Sequence, residues 1–524
     1  MGKTLAMKSV PLLFIHILLV SILLFPGCIP DDDNPIQDFL NAEARRFEKA
    51  PETVGFEYLQ GAYTQLSLLQ QYNRLWALEE LTSDEAVQVP AGLDWDDNGA
   101  WRELSLHSWG PGHFAVRDCW TALIGGLGTA YNALQVFTLA EPSPEGDEII
   151  AESRCLQAAF NYYFISLFGQ VPAIDESGAS VVYSREEAFN RTTAMLEDAL
   201  GNLPEKTRFS DERALFRMNK AAARALLARL YLNQSEYTGS SAGETQAMNA
   251  VLGLCGEVIN SGLYGLEPDY WDNFRTINAM NTGSAHELIL TTWNGPDGGF
   301  TNSFAANTLN AAHFDQAAGW NGFCTLAEFY EKWDQQDPRF LGPRIDAVNA
   351  FLGFNTGYQL DANGDTLRLP DGSPLFYSID FDFQAANPAA GARPVKYEPD
   401  GIQGNGLSGS ANVYAIIRLA EVYLMKAEAQ YRLGQAPEAR ASLNALRESR
   451  GAAPLSAVTE GDLLDEYGYE CWWEGQRRSH LIRFGRFNAP NNIRPAGSGS
   501  YRTLFPIPQE ALDANPQLKQ NPGY

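Results

Sequence analysis

The stretch RLAEVYLMKAEAQYRLGQAPEARASLNALRESR, residues 418–450, decides the fold class. Alanine, leucine and other strong helix formers fill it on both sides of Gly434. Glycine readily adopts the left-handed conformation that ends many helices, so Gly434 predicts a tight turn between two helices. We therefore expect a pair of helices over Ala411–Leu433 and Pro437–Arg450.

The helices on either side of Gly434 resemble a tetratricopeptide repeat. Residues that suit such a repeat fall at the expected places, namely Ala427, Tyr431, Gly434, Pro437, Ala439 and Leu443. Small residues let two helices approach closely. The alanine-rich stretch Ala221–Leu227 therefore also predicts a closely packed helix. Repeats of this kind pack helix on helix and bury no reactive group, so this part of the chain predicts a scaffold.

Apolar residues recur at helical spacing in much of the remaining chain. The further helices that this spacing predicts are Ala115–Phe137, Leu156–Phe168, Glu186–Leu203, Asn219–Leu232, Ala247–Ile259 and one within Asp462–Phe484. Two stretches, Leu81–Pro111 and Ser284–Gly409, lack this pattern and contain many turn-forming residues. Long irregular segments in a compact protein usually carry function. The sequence thus predicts a mostly α fold: a tetratricopeptide-like helical repeat scaffold with an irregular, ligand-binding region of loops and short strands.

The N-terminus has the features of a targeting segment. An almost wholly apolar run, Val10–Phe25, is short for a membrane span and is followed by Cys28. This pattern predicts a lipoprotein signal peptide over residues 1–27, then a lipidated N-terminus and tether over residues 28–50. The acids Asp31–Asp33 fit a solvated tether, because acids are disfavoured in an anionic headgroup layer. The alternative is an ordinary signal peptide in which Cys28 is incidental.

The composition argues against several functional classes. The formal net charge of −26 over 524 residues repels phosphate backbones, which argues against nucleic-acid binding. The six cysteines form no C-x-x-C pair, which argues against structural zinc, although a disulfide remains open. There is no G-x-S-x-G, H-E-x-x-H, P-loop or dinucleotide fingerprint, so we expect no enzyme and no cofactor. Asp361–Asp365 resembles the start of a calcium loop, but Gly372 stands where the chelating glutamate belongs, which favours a hairpin turn.

Five further stretches carry short motifs that are spread over most of the chain. They are Phe168–Pro172, Trp320–Gly322, Asp337–Arg339, Trp473–Arg483 and Gln520–Tyr524. In sequence and order they resemble motifs of the SusD/RagB family, the outer-membrane nutrient-binding lipoproteins also called SusD-like starch-binding proteins. One departure is His480, which stands where that family usually has aspartate.

This resemblance implies a fold, a partner and a ligand class. The fold would be one domain over residues 51–524, with an N-terminal part over about 51–235 and a C-terminal part over about 280–524. It would contain about four repeat-like helix pairs. The partner would be a SusC-like TonB-dependent outer-membrane transporter. The ligand would be an oligo- or polysaccharide, captured at the cell exterior by a protein anchored to the outer membrane through lipid. The alternatives within the family are capture of peptides or other nutrients and a scaffolding role.

Aromatic and polar residues in the two irregular stretches are the candidates for glycan binding. Planar rings stack on the flat C–H faces of sugars, and sugar hydroxyls need polar partners nearby. Members of the SusD/RagB family place their ligand aromatics in loops of these same regions. The candidate residues are Trp95, Asp96, Asn98, Trp101, Arg102, Trp293, Asn294, Trp320 and Asn321. The alternative for each tryptophan is ordinary packing, which we expect for Trp120, Trp472 and Trp473 in helical stretches.

Overall fold

A computed structural model describes residues 35–89, 95–175, 178–207, 213–276, 278, 286–294, 300–316, 319–383, 385, 387–399, 410 and 412–524. The predicted signal peptide, Cys28 and the acidic run after it lie outside these residues. Within these ranges, no helix combines the length and the apolar character that crossing a bilayer requires.

The described residues are mostly helical. The helices of the first half are α1 (Pro35–Lys49), α2 (Pro51–Leu69), α3 (Leu75–Glu80), α4 (Ala100–Ser105), α5 (Phe114–Thr138), α6 (Pro144–Leu167), α7 (Arg185–Ala199), α8 (Arg213–Phe216), α9 (Lys220–Leu232), α10 (Gln234–Thr238) and α11 (Glu244–Asn260). Those of the second half are α12 (Phe304–Thr308), α13 (Ala327–Glu331), α14 (Leu419–Arg432), α15 (Ala436–Ser449), α16 (Glu460–Cys471), α17 (Arg477–Arg483) and α18 (Gln509–Ala514). The predicted mostly α fold is confirmed.

Short strands lie between the helices and form small antiparallel sheets. They are β1 (Val87–Gln88), β2 (Gln170–Ile174), β3 (Ser180–Ser184), β4 (Leu288–Thr291), β5 (Phe323–Cys324), β6 (Leu341–Ile345), β7 (Ala350–Asn355), β8 (Gly357–Tyr358), β9 (Phe376–Tyr377), β10 (Arg393–Val395) and β11 (Ala415–Arg418). The sheets are β1–β5, β2–β3, β4–β11, β8–β9 and β6–β7–β10. In the first of them Val87 lies opposite Cys324 and Gln88 opposite Phe323, so this pair joins the two irregular stretches of the sequence.

Side-chain caps and one glycine fix the ends of several helices. Ser184 and Thr459 each complete a capping box with the acid three residues later, at the starts of α7 and α16. The side chain of Asn219 accepts the backbone N–H of Ala222 at the start of α9. Gly434, with φ of 76°, makes the predicted turn between α14 and α15. Local signals of this kind explain why these helices could be predicted from sequence.

The long helices pack side by side into one scaffold. Helix α2 packs on α5, α5 on α6 and α6 on α7; α9 then packs on α11, α11 on α14 and α14 on α15. Small residues allow close approach: a Cβ on Gly126 of α5 would lie 2.1 Å from the ring of Phe160 on α6. The buried apolar side chains of these helices belong to one continuous core. This is the expected tetratricopeptide-like arrangement.

Helix α14 begins later than predicted. The expected helix from Ala411 starts at Leu419, because Ala415–Arg418 forms β11 and pairs with β4. The two isoleucines of β11 are buried and β-branched, and such residues suit a covered strand. Likewise, the irregular stretch Leu81–Pro111 contains the short helix α4.

Residues 35–49 are helix rather than tether. The ring of Phe47 in α1 is 1% exposed and packs on Phe137 of α5, with ring centroids 4.5 Å apart. Burial of this apolar ring fixes α1 to the scaffold. Helix α1 thus occupies much of the range that the sequence predicted as a tether.

Buried ion pairs join the helices and strands of the second half. The guanidinium of Arg418, the last residue of β11, lies 2.7 Å from the carboxylates of Glu287 and Glu474 and 2.5 Å from that of Glu470. Arg450 lies 2.6 Å from Glu287. Burial alone would raise the pKa of Glu470, but the guanidinium groups of Arg450 and Arg418 outweigh it and hold that pKa well below its ordinary value. These charged groups fix the relative positions of distant segments.

The stretch Trp473–Arg483 docks against α3. Arg478 forms an ion pair of 3.2 Å with Glu79, and the backbone N–H of Gly475 donates to Glu80 at 2.7 Å. Both glutamates are buried. The motif therefore connects the C-terminal part of the chain to the N-terminal part through buried polar contacts.

His480 occupies the aspartate position of this motif, and its ring forms no ion pair with the residues that the structure describes. Its ring is buried 4.2 Å from the ring of Tyr467. Burial, followed by the nearby Arg483 and Arg477, lowers the pKa of His480 well below its ordinary value, so the ring stays neutral. Arg483 pairs at 2.8 Å with Glu428 of α14 instead.

The substitution Arg418→Leu should lower the free energy of unfolding by about 3–5 kcal/mol, because it leaves buried carboxylates short of a counter-charge. The measurement is the shift of the urea and thermal midpoints followed by circular dichroism. Arg154→Leu is the control, since its pair with Asp198 is at the surface and its loss should cost about 0–1 kcal/mol. Similar losses in the two variants would contradict the structural role of the buried pairs.

Candidate functional site

The β1–β5 pair brings together two loops that are far apart in the chain. Trp95 follows β1, and Trp320 precedes β5. The side-chain amide of Gln88 in β1 donates to the backbone carbonyl of Trp95. In the other loop, the backbone N–H of Trp320 donates to the carbonyl of Ala306 at 2.7 Å. Strand pairing therefore sets one tryptophan loop against the other.

Three of the predicted tryptophans, Trp320, Trp95 and Trp101, form one group that we call the tryptophan cluster. Trp320 is 40% exposed, Trp95 is partly buried and Trp101 is 1% exposed. The ring centroid of Trp95 lies 5.7 Å from that of Trp320 and 5.0 Å from that of Trp101, both in edge-to-face contact. Aromatic pairs favour this geometry. The cluster thus exposes the ring of Trp320, which packs on Trp95, and Trp95 packs in turn on the buried Trp101.

Further aromatic rings continue this support into the core. The ring centroid of Phe323 in β5 lies 5.1 Å from that of Trp95 and 4.9 Å from that of Trp76 in α3. Trp473 in turn lies 5.0 Å from Trp76. All three supporting rings are buried. Close packing leaves such rings little room to move, which suits a site that has to keep its geometry.

Three of the predicted polar residues lie beside the cluster, in and near the turn before α4. Asp96 and Arg102 form an ion pair in which both side chains are partly exposed. Asn98 is exposed. Together they supply carboxylate, guanidinium and amide groups, which are the donors and acceptors that sugar hydroxyls require.

Asp97 lay outside the predicted set, yet it ties two of the tryptophans together. Its Oδ2 accepts the indole N–H of Trp101 at 2.7 Å and that of Trp95 at 2.5 Å. Asp97 stands two residues after one tryptophan and four before the other. That spacing is the only feature of the sequence that points to Asp97. It does not reveal that the carboxylate of an exposed loop residue accepts hydrogen bonds from both indole groups.

Asn321, another predicted residue, turns inward. It is 0% exposed, and its amide donates to the carbonyl of Pro388 at 2.7 Å. Its backbone, with φ of 52°, donates to the carbonyl of Leu309 at 3.1 Å. Asn321 therefore shapes the loop that presents Trp320.

Trp293 and Asn294 make internal contacts away from the tryptophan cluster. The ring of Trp293 is 6% exposed and stacks on Phe216, with centroids 5.2 Å apart and planes inclined by 22°. Its other described ring contact is with Phe56. The amide of Asn294 donates to the carbonyl of Asn412 at 2.5 Å. Ordinary packing accounts for both positions.

Metal-binding arrangements are absent from the described part of the chain, where no group of His, Cys, Asp and Glu side chains could hold an ion. Asp361 accepts the backbone N–H groups of Asn363 and Asp365, each at 2.8 Å. This segment therefore forms a turn, which is the alternative predicted from Gly372 at the position of the chelating glutamate.

The cysteines in the described residues are buried and unpaired. They are Cys119, Cys155, Cys255, Cys324 and Cys471. Burial raises the pKa of each thiol, to about 11 for Cys324. No disulfide links these five positions.

Comparison with known proteins finds similarity to the SusD family. Residues 378–524 match the family model described as the SusD family. The starch-binding protein SusD of Bacteroides thetaiotaomicron is 26% identical over 493 residues, which cover 86% of each chain. SusD-like protein P2 of Formosa agariphila is 25% identical over 559 residues, which cover 99% of this chain and 100% of that one. The C-terminal part of the chain thus matches the SusD family model, and most of its length is similar to SusD.

Several solved structures share the fold of this protein. Surface glycan-binding protein A from Bacteroides uniformis superposes with a TM-score of 0.70 at 21% identity, covering 90% of this chain and 99% of that one. A SusD superfamily protein from Parabacteroides distasonis gives a TM-score of 0.71 at 18% identity, covering 91% and 100%. Surface glycan-binding protein A from Bacteroides thetaiotaomicron in complex with laminarihexaose gives 0.66 at 20% identity, covering 89% and 98%.

A buried histidine supports the loop of Trp320. His313 donates to the carbonyl of Val348 at 3.0 Å and stacks on Tyr377, with ring centroids 5.7 Å apart. The loop packs against the same turn, since a Cβ on Gly319 would lie 2.7 Å from the backbone nitrogen of Ala311. Burial lowers the pKa of His313 to about 4.

We expect the melting temperature to depend on His313 between pH 6.5 and about 4. Its contribution to stability is complete above pH 6.5 and is lost as the pH falls through this window, because the unfolded chain binds the proton first. The measurement is a series of melts from neutral to acidic pH. The control is His313→Gln, which keeps a neutral donor and should show a shallower decline. Parallel curves for the two proteins would contradict the expectation.

Proposed function

We propose that this protein is a cell-surface lipoprotein that binds oligo- or polysaccharide and delivers it to a SusC-like TonB-dependent outer-membrane transporter. The observation that carries the proposal is the graded exposure of the tryptophan cluster, in which Trp320 is open and Trp101 is buried behind Trp95. Sugar rings carry C–H groups on their faces, and these groups pack well against an indole plane. The proposal contains no catalytic step.

The surroundings of the cluster suit a neutral ligand that is rich in hydroxyl groups. A hydroxyl both donates and accepts hydrogen bonds, and Asp96, Asn98 and Arg102 offer partners for both roles. The net charge of −26 opposes anionic polymers. Two small cavities of about 10 Å³ each have room for about one water, and neither is lined by the tryptophan cluster. The open surface around Trp320 is thus the better candidate, and it leaves a long chain free to extend past the site.

Relatives support a glycan as the ligand class. One is named as a starch-binding protein, another as a laminarin-binding SusD-like protein, and a third was solved with laminarihexaose. All three names describe binding rather than catalysis. The alternative ligand is a peptide or other nutrient, and the alternative role is a scaffold whose tryptophans only pack.

The proposed location rests on the N-terminal sequence. The apolar run Val10–Phe25, Cys28 and the acids Asp31–Asp33 have the order of a signal peptide, an acylation site and a solvated tether. A lipid on Cys28 would hold the protein on the outer membrane, facing the cell exterior. The helical scaffold would then be presented beside the transporter.

Trp320→Ala should weaken glycan binding about tenfold or more, because it removes the open stacking ring. Affinity electrophoresis of the chain from about Asp31 onward against a polysaccharide panel would find the glycan, and calorimetry would measure its affinity. Tyr358→Ala is the matched control, since Tyr358 is an aromatic residue 61% exposed on β8.

Wild-type affinity in Trp320→Ala would remove the tryptophan cluster from the site. If no glycan retarded the wild-type protein, the ligand class would be wrong. A binding signal with a peptide library would then favour the nutrient alternative, and co-purification of a transporter without any ligand would favour the scaffold.

Cys28→Ser should abolish labelling of the protein by palmitate in the native host, because acylation requires the cysteine sulfur. Cys255→Ala, at a buried helical cysteine, should keep the label. Labelled Cys28→Ser protein would contradict the lipid anchor while leaving the glycan site untouched.

A further inference from the structure

Three consecutive residues beside the cluster have a left-handed backbone. They are Asp97, Asn98 and Gly99, with φ of 46°, 55° and 82°. This conformation is natural for glycine but unfavourable for residues with a Cβ, so aspartate and asparagine keep it only where surrounding contacts favour it. Backbone strain of this kind is concentrated at functional sites. Here the turn brings the Asp97 carboxylate back onto the tryptophan cluster.

A single oxygen of Asp97 fixes the mutual orientation of two indole rings. Oδ2 accepts the N–H of Trp101 at 2.7 Å and that of Trp95 at 2.5 Å. The two rings meet at 74° with their centroids 5.0 Å apart. A charged acceptor forms stronger hydrogen bonds than a neutral one, so the carboxylate resists rotation of either ring.

The other part of Trp95 is fixed by the backbone of the second loop. A Cβ on Gly322 would lie 2.7 Å from Cε3 and 3.0 Å from Cζ3 of Trp95, so the six-membered ring rests directly on this glycine. The N–H of Gly322 donates to the carbonyl of Asn307 at 2.9 Å, which holds the chain in place. Asp97 therefore holds the N–H edge of the indole while Gly322 limits its opposite end.

We propose that Asp97 is a positioning residue, which fixes Trp95 and Trp101 before any ligand arrives and so presets the surface that Trp95 and Trp320 offer to a sugar ring. This inference rests on the proposed glycan binding by the tryptophan cluster. A preset ring loses no rotational freedom when the ligand binds, and that raises affinity. Asp96 differs, because its carboxylate pairs with Arg102.

The first test observes the rings without ligand. The sample is the chain from about Asp31 onward, labelled with [15N]tryptophan. In its NMR spectrum, Asp97→Leu should shift the indole N–H signals of Trp95 and Trp101, because these groups lose their acceptor. Trp95→Phe and Trp101→Phe assign the two signals. The control is Asp371→Leu, at an exposed turn where the carboxylate accepts from Ser373. Unmoved indole signals in Asp97→Leu would overturn the proposal.

The second test measures affinity for the glycan that the polysaccharide panel selects. Asp97→Leu should bind it about three- to tenfold more weakly, through loss of preset rings. Asp97→Asn should recover most of the affinity, because its amide oxygen still accepts an indole N–H. Wild-type affinity in Asp97→Leu, or an equal loss in Asp97→Asn, would overturn the positioning role.

The two proposals fail in different ways. If Trp320→Ala binds the glycan as the wild type does, the proposed site fails, while shifted indole signals in Asp97→Leu still support its positioning of the rings. If Trp320→Ala loses binding and Asp97→Leu keeps it, the proposed site stands and the positioning role is wrong. If no glycan binds, the indole signals alone decide whether Asp97 fixes the rings.

Discussion

The buried guanidinium of Arg418 is the group on which much of the remaining structure depends. It forms ion pairs with Glu470 of α16 and Glu474 of the loop that follows, and these pairs hold the loop against the end of β11. Because an unpaired buried charge is costly, displacement of one member is opposed by the others. The same loop carries Trp473, the innermost of the rings that support the tryptophan cluster. Polar pairing in the interior thereby fixes the aromatic surface.

The helical scaffold could be predicted because its signals are local. The expected helix Ala115–Phe137 differs from α5 by one residue at each end, since apolar periodicity depends only on neighbouring residues. Strand β11 was missed for the opposite reason. An apolar run containing Ile416 and Ile417 suits a buried helix as well as a strand, and only its partner β4, distant in sequence, decides between them. The position of α1 could not be predicted for the same reason, because Phe47 packs on Phe137, which is distant in sequence.

Composition alone could not separate the open candidate tryptophan from the buried ones. Trp101, Trp293 and Trp320 all lie in irregular stretches, yet their exposed fractions are 1%, 6% and 40%. The difference arises from long-range contacts, such as the stacking of Trp293 on Phe216 and the pairing of β1 with β5, which composition cannot reveal. Trp120, Trp472 and Trp473 are buried as expected, although Trp472 and Trp473 lie just beyond α16 rather than within it.

The five buried thiols have a consequence for the chemistry of the folded chain. Disulfide exchange requires a thiolate that can reach its target, and burial suppresses the thiolate while the packed helices exclude reagents. The folded protein can therefore remain in an oxidising compartment without cross-linking or scrambling through these positions. Reaction of any of the five thiols with an oxidant would be limited by how often its segment opens. The rate at which free thiols disappear would therefore report the rate of local unfolding.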